Sequence, residues 1–372
     1  MKKLAIIGAS YLQKPLVEKC KELGVYSICF AWEEGAVCKD WCDKFYPIST
    51  IDKEAILKVC QEEKIDGITT IASDVATLAV CYVAEKMGLV GNPDKFSQIT
   101  TNKYLMRQCF MEHGVPSPKF CLTDGQIPDI IKDFSYPVIV KPTDRSGSRG
   151  VERVLKQEDL QRAIDRACHE SFQQKAVIEE FVEGREISVE SISFRGKHYV
   201  LQITDKVTTE APFFVELEHH QPSSLPEEIK TRVKEVVLNA LDALHIQNGA
   251  SHSELKITKD GDIRVIEIGA RMGGDFIGSD LVKLSTGYDF LQGVIEVAFG
   301  DFKEPKITDH KFSGVYFLCE ETKNILSIIQ NADKYPEIVR AEVTDPILRR
   351  IEQSADRSGY LIYQSKFNRF KV

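Results

Sequence analysis

The stretch Val138-Ile139-Val140-Lys141-Pro142-Thr143-Asp144-Arg145-Ser146-Gly147-Ser148-Arg149-Gly150 decides how the chain is read. Its first part is a short apolar run closed by a proline, the pattern of a buried strand. Its second part is a loop rich in glycine and serine. Such a loop can turn several backbone N–H groups toward phosphate oxygens, and Arg149 adds positive charge. A lysine that closes an apolar strand, as Lys141 does, can aim its ammonium into a cleft as a phosphate ligand. Each feature alone has a plain alternative: a hairpin turn for the loop, a solvated strand end for the lysine. The loop lacks the G-x-x-x-x-G-K-[ST] pattern of a P-loop.

Downstream, His252-Ser253-Glu254-Leu255-Lys256 and Val265-Ile266-Glu267-Ile268-Gly269 read as two strands of a hairpin turned through Lys259-Asp260-Gly261-Asp262. Across it Glu254 and Glu267 can face one cleft, with Glu267 on the face opposite Ile266 and Ile268. Two carboxylates in one site repel unless a cation lies between them. Oxygen ligands of this kind suit Mg²⁺ completed by waters and substrate phosphates. The plain alternative is two acids on the exposed face of a sheet. The following Ala270-Arg271-Met272-Gly273-Gly274-Asp275 favours the site, because paired glycines beside an arginine open the backbone to close approach near a cation.

Upstream, residues 1 to about 95 alternate strands (Lys3–Gly8, Ser27–Ala31, Gly67–Ile71) with helices (Pro15–Leu23, Lys53–Glu63). This βαβ rhythm predicts a parallel sheet covered on both faces. The turn Gly8-Ala9-Ser10 lacks the second glycine of the dinucleotide fingerprint. A helix over Asn102–His113 ends at Gly114 and the prolines 116 and 118, which mark a boundary. Further helices are expected at Glu158–Cys168 and Glu227–Leu244, and strands at Ala176–Val182, Glu186–Ser193 and Tyr199–Thr204. The stretch from Val207 to Pro226 reads as a loop, and its His219 and His220 as a solvated pair.

Composition bounds the function. A chain of 372 residues is long enough for two or three domains, and 43% hydrophobic with 28% charged residues is globular. A net charge of −8 argues against a nucleic-acid partner, since no basic excess neutralises phosphates. No apolar run reaches the roughly 20 residues of a membrane span. The apolar start, Leu4 to Ala9, is too short for a signal peptide. The 10 scattered cysteines include a close pair, Cys38 and Cys42, but no complete zinc set, and are expected as reduced thiols in a cytoplasmic protein.

Taken in order, these elements resemble the ATP-grasp superfamily over about Lys103 to Gly300, on its L-amino-acid ligase and carbamoyl-phosphate-synthase-like branch. The resemblance implies an α/β chain, α+β in the nucleotide clamp: a Rossmann-like domain (1–114), an ATP-grasp lid (115–184), the main ATP-grasp subdomain (185–305) and a small C-terminal α/β segment (306–372). It implies ATP and Mg²⁺, with Mn²⁺ as a substitute. Lys103 and Lys141 would hold phosphates, and Ser146, Gly147, Ser148, Arg149 and Gly150 would cover them. Glu179-Glu180-Phe181-Val182 resembles the hinge that reads adenine through backbone groups of Glu180 and Val182, with Glu179 accepting from the adenine amino group. Glu186 would bind the ribose, and Lys206, in the variable loop, a further phosphate. Glu254 and Glu267 match the metal ligands, and Arg271, with Lys141, the catalytic cations. The family pattern E-x-N-x-R has an Asn where this sequence has Gly269, which removes one expected metal ligand.

The activity so implied is an ATP-dependent ligase that activates a carboxylate as an acyl phosphate for attack by an amine, acting on small amino-acid or peptide-like substrates. The alternatives are a purine-pathway or carbamoyl-phosphate-type ligase and a catalytically silent nucleotide-binding module. No nucleic-acid or membrane partner is implied, and a homodimer is the default assembly.

Overall fold

The computed structural model describes residues 1–147, 149–210 and 213–372. The N-terminal part holds strands β1 (Lys3–Ile7), β2 (Tyr26–Phe30), β3 (Lys44–Tyr46) and β4 (Gly67–Thr69) with helices α1 (Lys14–Glu22), α2 (Lys53–Glu63), α3 (Ala76–Met87) and α4 (Lys103–Glu112). The four strands form one parallel sheet in the order β3-β2-β1-β4. Strand β1 is apolar on both sides. Leu4 and Ile6 join one core and Ala5 and Ile7 the other, as a sheet covered on both faces requires.

Next come β5 (Phe120–Thr123), β6 (Val138–Pro142), β7 (Glu152–Val154), α5 (Leu160–Glu170) and β8 (Ala176–Glu180). The strands pair antiparallel in the order β5-β8-β6-β7. Leu160, Ala163, Ile164 and Ala167 recur at helical spacing along α5 and pack on Val138, Val140, Val154 and Ile178. This sheet lies within the expected lid span.

The remainder builds one eight-stranded sheet. Its elements are β9 (Arg185–Phe194), β10 (Lys197–Thr208), β11 (Glu216–Gln221), α6 (Glu227–Ala243), β12 (Gly249–Ile257), β13 (Ile263–Gly269), α7 (Val282–Thr286), α8 (Phe290–Ala298), β14 (Phe312–Leu318), α9 (Leu326–Ile329), β15 (Ile338–Val343) and β16 (Gly359–Ser365). Strand order is β13-β12-β9-β10-β11-β14-β16-β15. The C-terminal segment adds β14, β15 and β16 to the central sheet. One sequence expectation changes here. The stretch read as a loop contains β11, whose pairing with β10 and β14 buries His219 and His220 to 1% and 4% exposure. Two polar imidazoles in a strand gave no apolar alternation to reveal it.

Helix α6 covers the back of the sheet, with Val233, Val237 and Leu241 against Ile187, Val189, Leu255 and Val265, and α4 adds Met106 and Phe110 to the same core. Helix α8 joins the parallel and central sheets, its Phe290 and Val294 sharing a core with Leu4, Ile6 and Ile192. The fold thus fixes α4, β6, β9, β10, β12 and β13 around one cleft. Leu241 is fully buried in this packing. Leu241→Ala is expected to cost about 3 kcal/mol, read as a lowered midpoint in urea unfolding followed by circular dichroism.

Candidate functional site

Strands β12 and β13 place Glu254 directly opposite Glu267. Simple alternation does not achieve this, because Val265 and Glu267 have the same parity. Val265 pairs with Leu255 on the core side, so the next step of an unbroken ladder would bring Ile266 opposite Glu254. The register shifts there, Ile266 is the extra residue, and Glu267 moves to the cleft while Ile268 returns to the core. A β-bulge re-aims the side chain that follows it. The expectation that Ile266 simply opposes Glu267 is corrected accordingly.

Each of these carboxylates is held by a lysine. Lys103, the first residue of α4, places Nζ 2.6 Å from Glu267 Oε1. Its helix starts where Asn102 caps the N–H groups of Tyr104 and Leu105, and the Lys103 N–H donates to the Thr143 C=O at the end of β6. Lys206 lies inside β10, not in a variable loop. Its Nζ is 2.6 Å from Glu254 Oε1, 2.9 Å from Glu186 Oε1 and 3.5 Å from Glu216 Oε1. Burial alone would lower the Lys206 pKa, but Glu186, Glu254 and Glu216 outweigh it and hold the ammonium well above its usual value. Burial would likewise raise Glu254, yet Lys206 and His252 keep its carboxyl well below the usual range. Glu186, the residue expected at the ribose, also pairs with Lys256 at 2.9 Å.

A second charged group lies beside the first. Lys141 Nζ is 2.8 Å from Glu179 Oε2, and Arg107 Nε is 2.9 Å from Glu179 Oε1. All three side chains are buried. Burial lowers the Lys141 pKa although Glu179 opposes it; Glu179, which burial would raise, is held low by Arg107 and Lys141. Glu179 is thus the counter-ion of both cations, each of its oxygens within ion-pair distance of one of them. Arg107 was missed in the sequence. Its signal was its place four residues after Lys103, on the same face of α4.

The hinge segment follows β8. The Glu180 N–H donates to the Lys119 C=O and the Phe181 N–H to the Pro137 C=O, each at 3.0 Å. The Val182 N–H has no backbone acceptor among the described residues. The Arg153 guanidinium stacks over Phe181, 4.2 Å from the ring centre. In the loop after β6, Gly147 and Gly150 adopt φ of 68° and 71°. Arg149 is exposed, and its Nε donates to the Ser146 C=O at 3.3 Å. Ser148 lies outside the described residues.

Arg271 is bound by a residue the sequence did not single out. Its Nε and Nη2 donate to the two oxygens of Asp74 at 2.8 and 3.0 Å. Asp74 sits just beyond β4, at the carboxyl end of a parallel strand, where open α/β sheets gather ligand-binding groups; that was the available signal. The pair explains Gly269. A Cβ there would lie 2.5 Å from Asp74 Oδ1 and 3.1 Å from Arg271 Cζ, so a side chain at this position must displace the Asp74–Arg271 pair. A third missed pair is His252 and Glu190. Burial would lower the His252 pKa, but Glu190 and Glu254 raise it to about 9.

Among the described residues no three His, Cys, Asp or Glu side chains are grouped to hold a metal ion. Two facing carboxylates still fit Mg²⁺, which binds through one or two carboxylates and takes its other ligands from water and substrate phosphates. All ten cysteines are free thiols, and no helix is long and apolar enough to cross a membrane among the residues described.

Residues 134–280 match the model of the ATP-grasp domain. The chain carries an ATP-grasp domain. It is 28% identical over 268 residues to alanine–anticapsin ligase of Bacillus subtilis strain 168, covering 66% of this chain and 56% of the relative. It is 25% identical over 259 residues to a formate-dependent phosphoribosylglycinamide formyltransferase of Methanocaldococcus jannaschii, covering 65% and 63%. The chain thus spans little more than half the length of the first of these relatives. Among solved structures, L-amino acid ligase from Bacillus licheniformis superposes with a TM-score of 0.79 at 24% identity, covering 98% of this chain and 94% of that one. The N5-carboxyaminoimidazole synthetase of Staphylococcus aureus complexed with ADP superposes with a TM-score of 0.79 at 17% identity, covering 98% and 93%. At these identities the likeness is one of fold.

Gly269→Asn is expected to break the Asp74–Arg271 pair and destabilise the protein by roughly 2–4 kcal/mol. Adding Asp74→Ala should recover part of that loss. Thermal unfolding of both single variants and the double variant reads the coupling; additive losses would show that residue 269 and Asp74 do not compete for one space.

Proposed function

We propose that the chain is a Mg-ATP-dependent carboxylate–amine ligase acting on amino-acid or peptide-like substrates. The observation that carries this reading is the cross-strand pair Glu254 and Glu267, ringed by Lys103, Lys141, Lys206 and Arg271. Such a site suits phosphoryl transfer, which needs positioning and charge neutralisation more than a covalent nucleophile. The similarity to alanine–anticapsin ligase supports amino acids as the substrate class.

In the proposed reaction a carboxylate oxygen attacks the γ-phosphorus of ATP, and the bond from that phosphorus to the ADP oxygen breaks. The amine lone pair then attacks the acyl carbon, the C–O bond to phosphate breaks, and the nitrogen loses a proton. Lys103, Lys141 and Lys206 hold phosphate oxygens. Arg271 orients the carboxylate and the transferred group, and Asp74 fixes Arg271 in place. The Val182 N–H and a Glu180 backbone group receive the adenine edge, with Phe181 beside it. Glu254 and Glu267 would hold Mg²⁺, which when bound supplies charge neutralisation for the phosphates. Residues 115–184 act as a lid that carries Ser146 to Gly150 over the phosphates and keeps water from the acyl phosphate.

Phosphate release from Mg-ATP should appear only with particular amino acids, offered singly and in pairs. Glu267→Ala should lower it by roughly 100-fold or more. Release that needs no carboxylate, or that survives this substitution, would refute the assignment.

A further inference from the structure

The buried pair His252 and Glu190 has no part in the chemistry proposed above, yet it touches both halves of the site. His252 lies on β12 directly opposite Glu190 on β9. Nδ1 of His252 contacts Oε1 of Glu190, whose Oε2 accepts the Gly273 N–H at 3.1 Å. On its other side, Nε2 of His252 lies 3.4 Å from Glu254 Oε1, the oxygen that Lys206 also grips. Both ring nitrogens therefore face carboxylate oxygens, and a ring nitrogen that meets a carboxylate acts as a donor.

The turn after Arg271 is built onto this pair. A Cβ on Gly273 would lie 2.7 Å from His252 Nδ1, closer than real side chains approach, and 3.0 Å from each Glu190 oxygen. Only a glycine lets the backbone come near enough for its N–H to reach Glu190. Glu190 is fully buried. A fold that needed only stability at this point could fill it with apolar side chains at no loss, since a buried ion pair is costly to desolvate. What the ion pair adds is direction. It sets Glu254, two residues along β12, and Gly273, two residues after Arg271, in one frame.

We infer that His252 and Glu190 are positioning residues that tie the proposed metal carboxylate Glu254 to the Arg271–Gly273 turn. The inference rests on the metal–nucleotide reading given above. Outer partners of this kind orient a ligating carboxylate, and their loss weakens metal binding by roughly 10- to 100-fold.

Two substitutions separate the ends of the brace. His252→Asn keeps a donor near the Nδ1 position, toward Glu190, and removes the one facing Glu254. His252→Gln keeps a donor near Nε2 and removes the one facing Glu190. Mn²⁺ binding in the presence of ADP, followed by the electron paramagnetic resonance of the ion, reads the Glu254 end. His252→Asn is expected to weaken it by roughly 10- to 100-fold, and His252→Gln by less than about threefold. His252→Gln should instead lower kcat for phosphate release with the KM for ATP unchanged. Thermal melts confirm that both variants are folded. Wild-type Mn²⁺ affinity in both variants, or the same loss in both, would overturn the inference. If wild type bound no Mn²⁺ beside ADP, the metal reading itself would fall, and this inference with it.

Discussion

Two carboxylates held face to face across a hairpin repel each other, and the structure around Glu254 and Glu267 answers that repulsion. Each receives a lysine at 2.6 Å, Lys103 from the start of α4 and Lys206 from within β10. Those lysines are buried, so their own charges need the same carboxylates. The dependence spreads outward. Lys206 draws in Glu186 and Glu216, and the neighbouring Lys141 and Arg107 share Glu179. Such a cleft is charged throughout but locally balanced. In the proposed reaction a polyphosphate and its cation exchange partners with it: ammonium groups pass from carboxylate to phosphate, and carboxylates from ammonium to metal. Each charged group keeps a partner of opposite sign in both arrangements, which keeps a desolvated cleft from holding an unpaired ion.

Much of the scaffold was legible in the sequence because its signals are local. The βαβ rhythm of residues 1 to 95, the helices expected over Asn102–His113 and Glu158–Cys168 and the hairpin through Asp260-Gly261 each follow from a few neighbouring residues, and the corresponding elements are present. Strand β11 was not legible, because Glu218, His219, His220 and Gln221 carry no apolar alternation, and the last three are buried only once β10 and β14 lie on either side. The bulge at Ile266 was hidden as well. Alternation sets Glu267 apart from Ile266 and Ile268 but gives it the parity of the buried Val265, and only the ladder with β12 shows where the extra residue goes. Lys103, Lys141, Glu254, Glu267 and Arg271 were chosen as a set, and the fold brings them to one cleft. Their partners were out of reach of any linear pattern. Asp74 stands 197 positions before Arg271, and Glu190 62 before His252.

Gly269 shows how a departure from a family pattern can be compensated in space. An asparagine at that position would meet Asp74 and Arg271, so the pattern loses an oxygen ligand and gains a two-bonded arginine. The acid comes from the edge of the parallel sheet and the arginine from the end of β13. The N-terminal part of the chain is therefore a wall of the cleft and not an appendage to it. The C-terminal strands act similarly at the far side, where Arg357 donates to Asp275 at 2.8 Å and stacks on Phe317, which fixes the turn that follows Gly273 and Gly274.

The central claim is that a carboxylate oxygen becomes bonded to the phosphorus of ATP. The direct measurement uses a substrate carboxylate labelled with ¹⁸O and mass analysis of the phosphate released during turnover. One labelled oxygen per phosphate is the predicted result, because amine attack expels the oxygen that attacked phosphorus. Phosphate free of label, formed at the same rate as ligated product, would contradict the acyl-phosphate route and the reading of the cleft built on it.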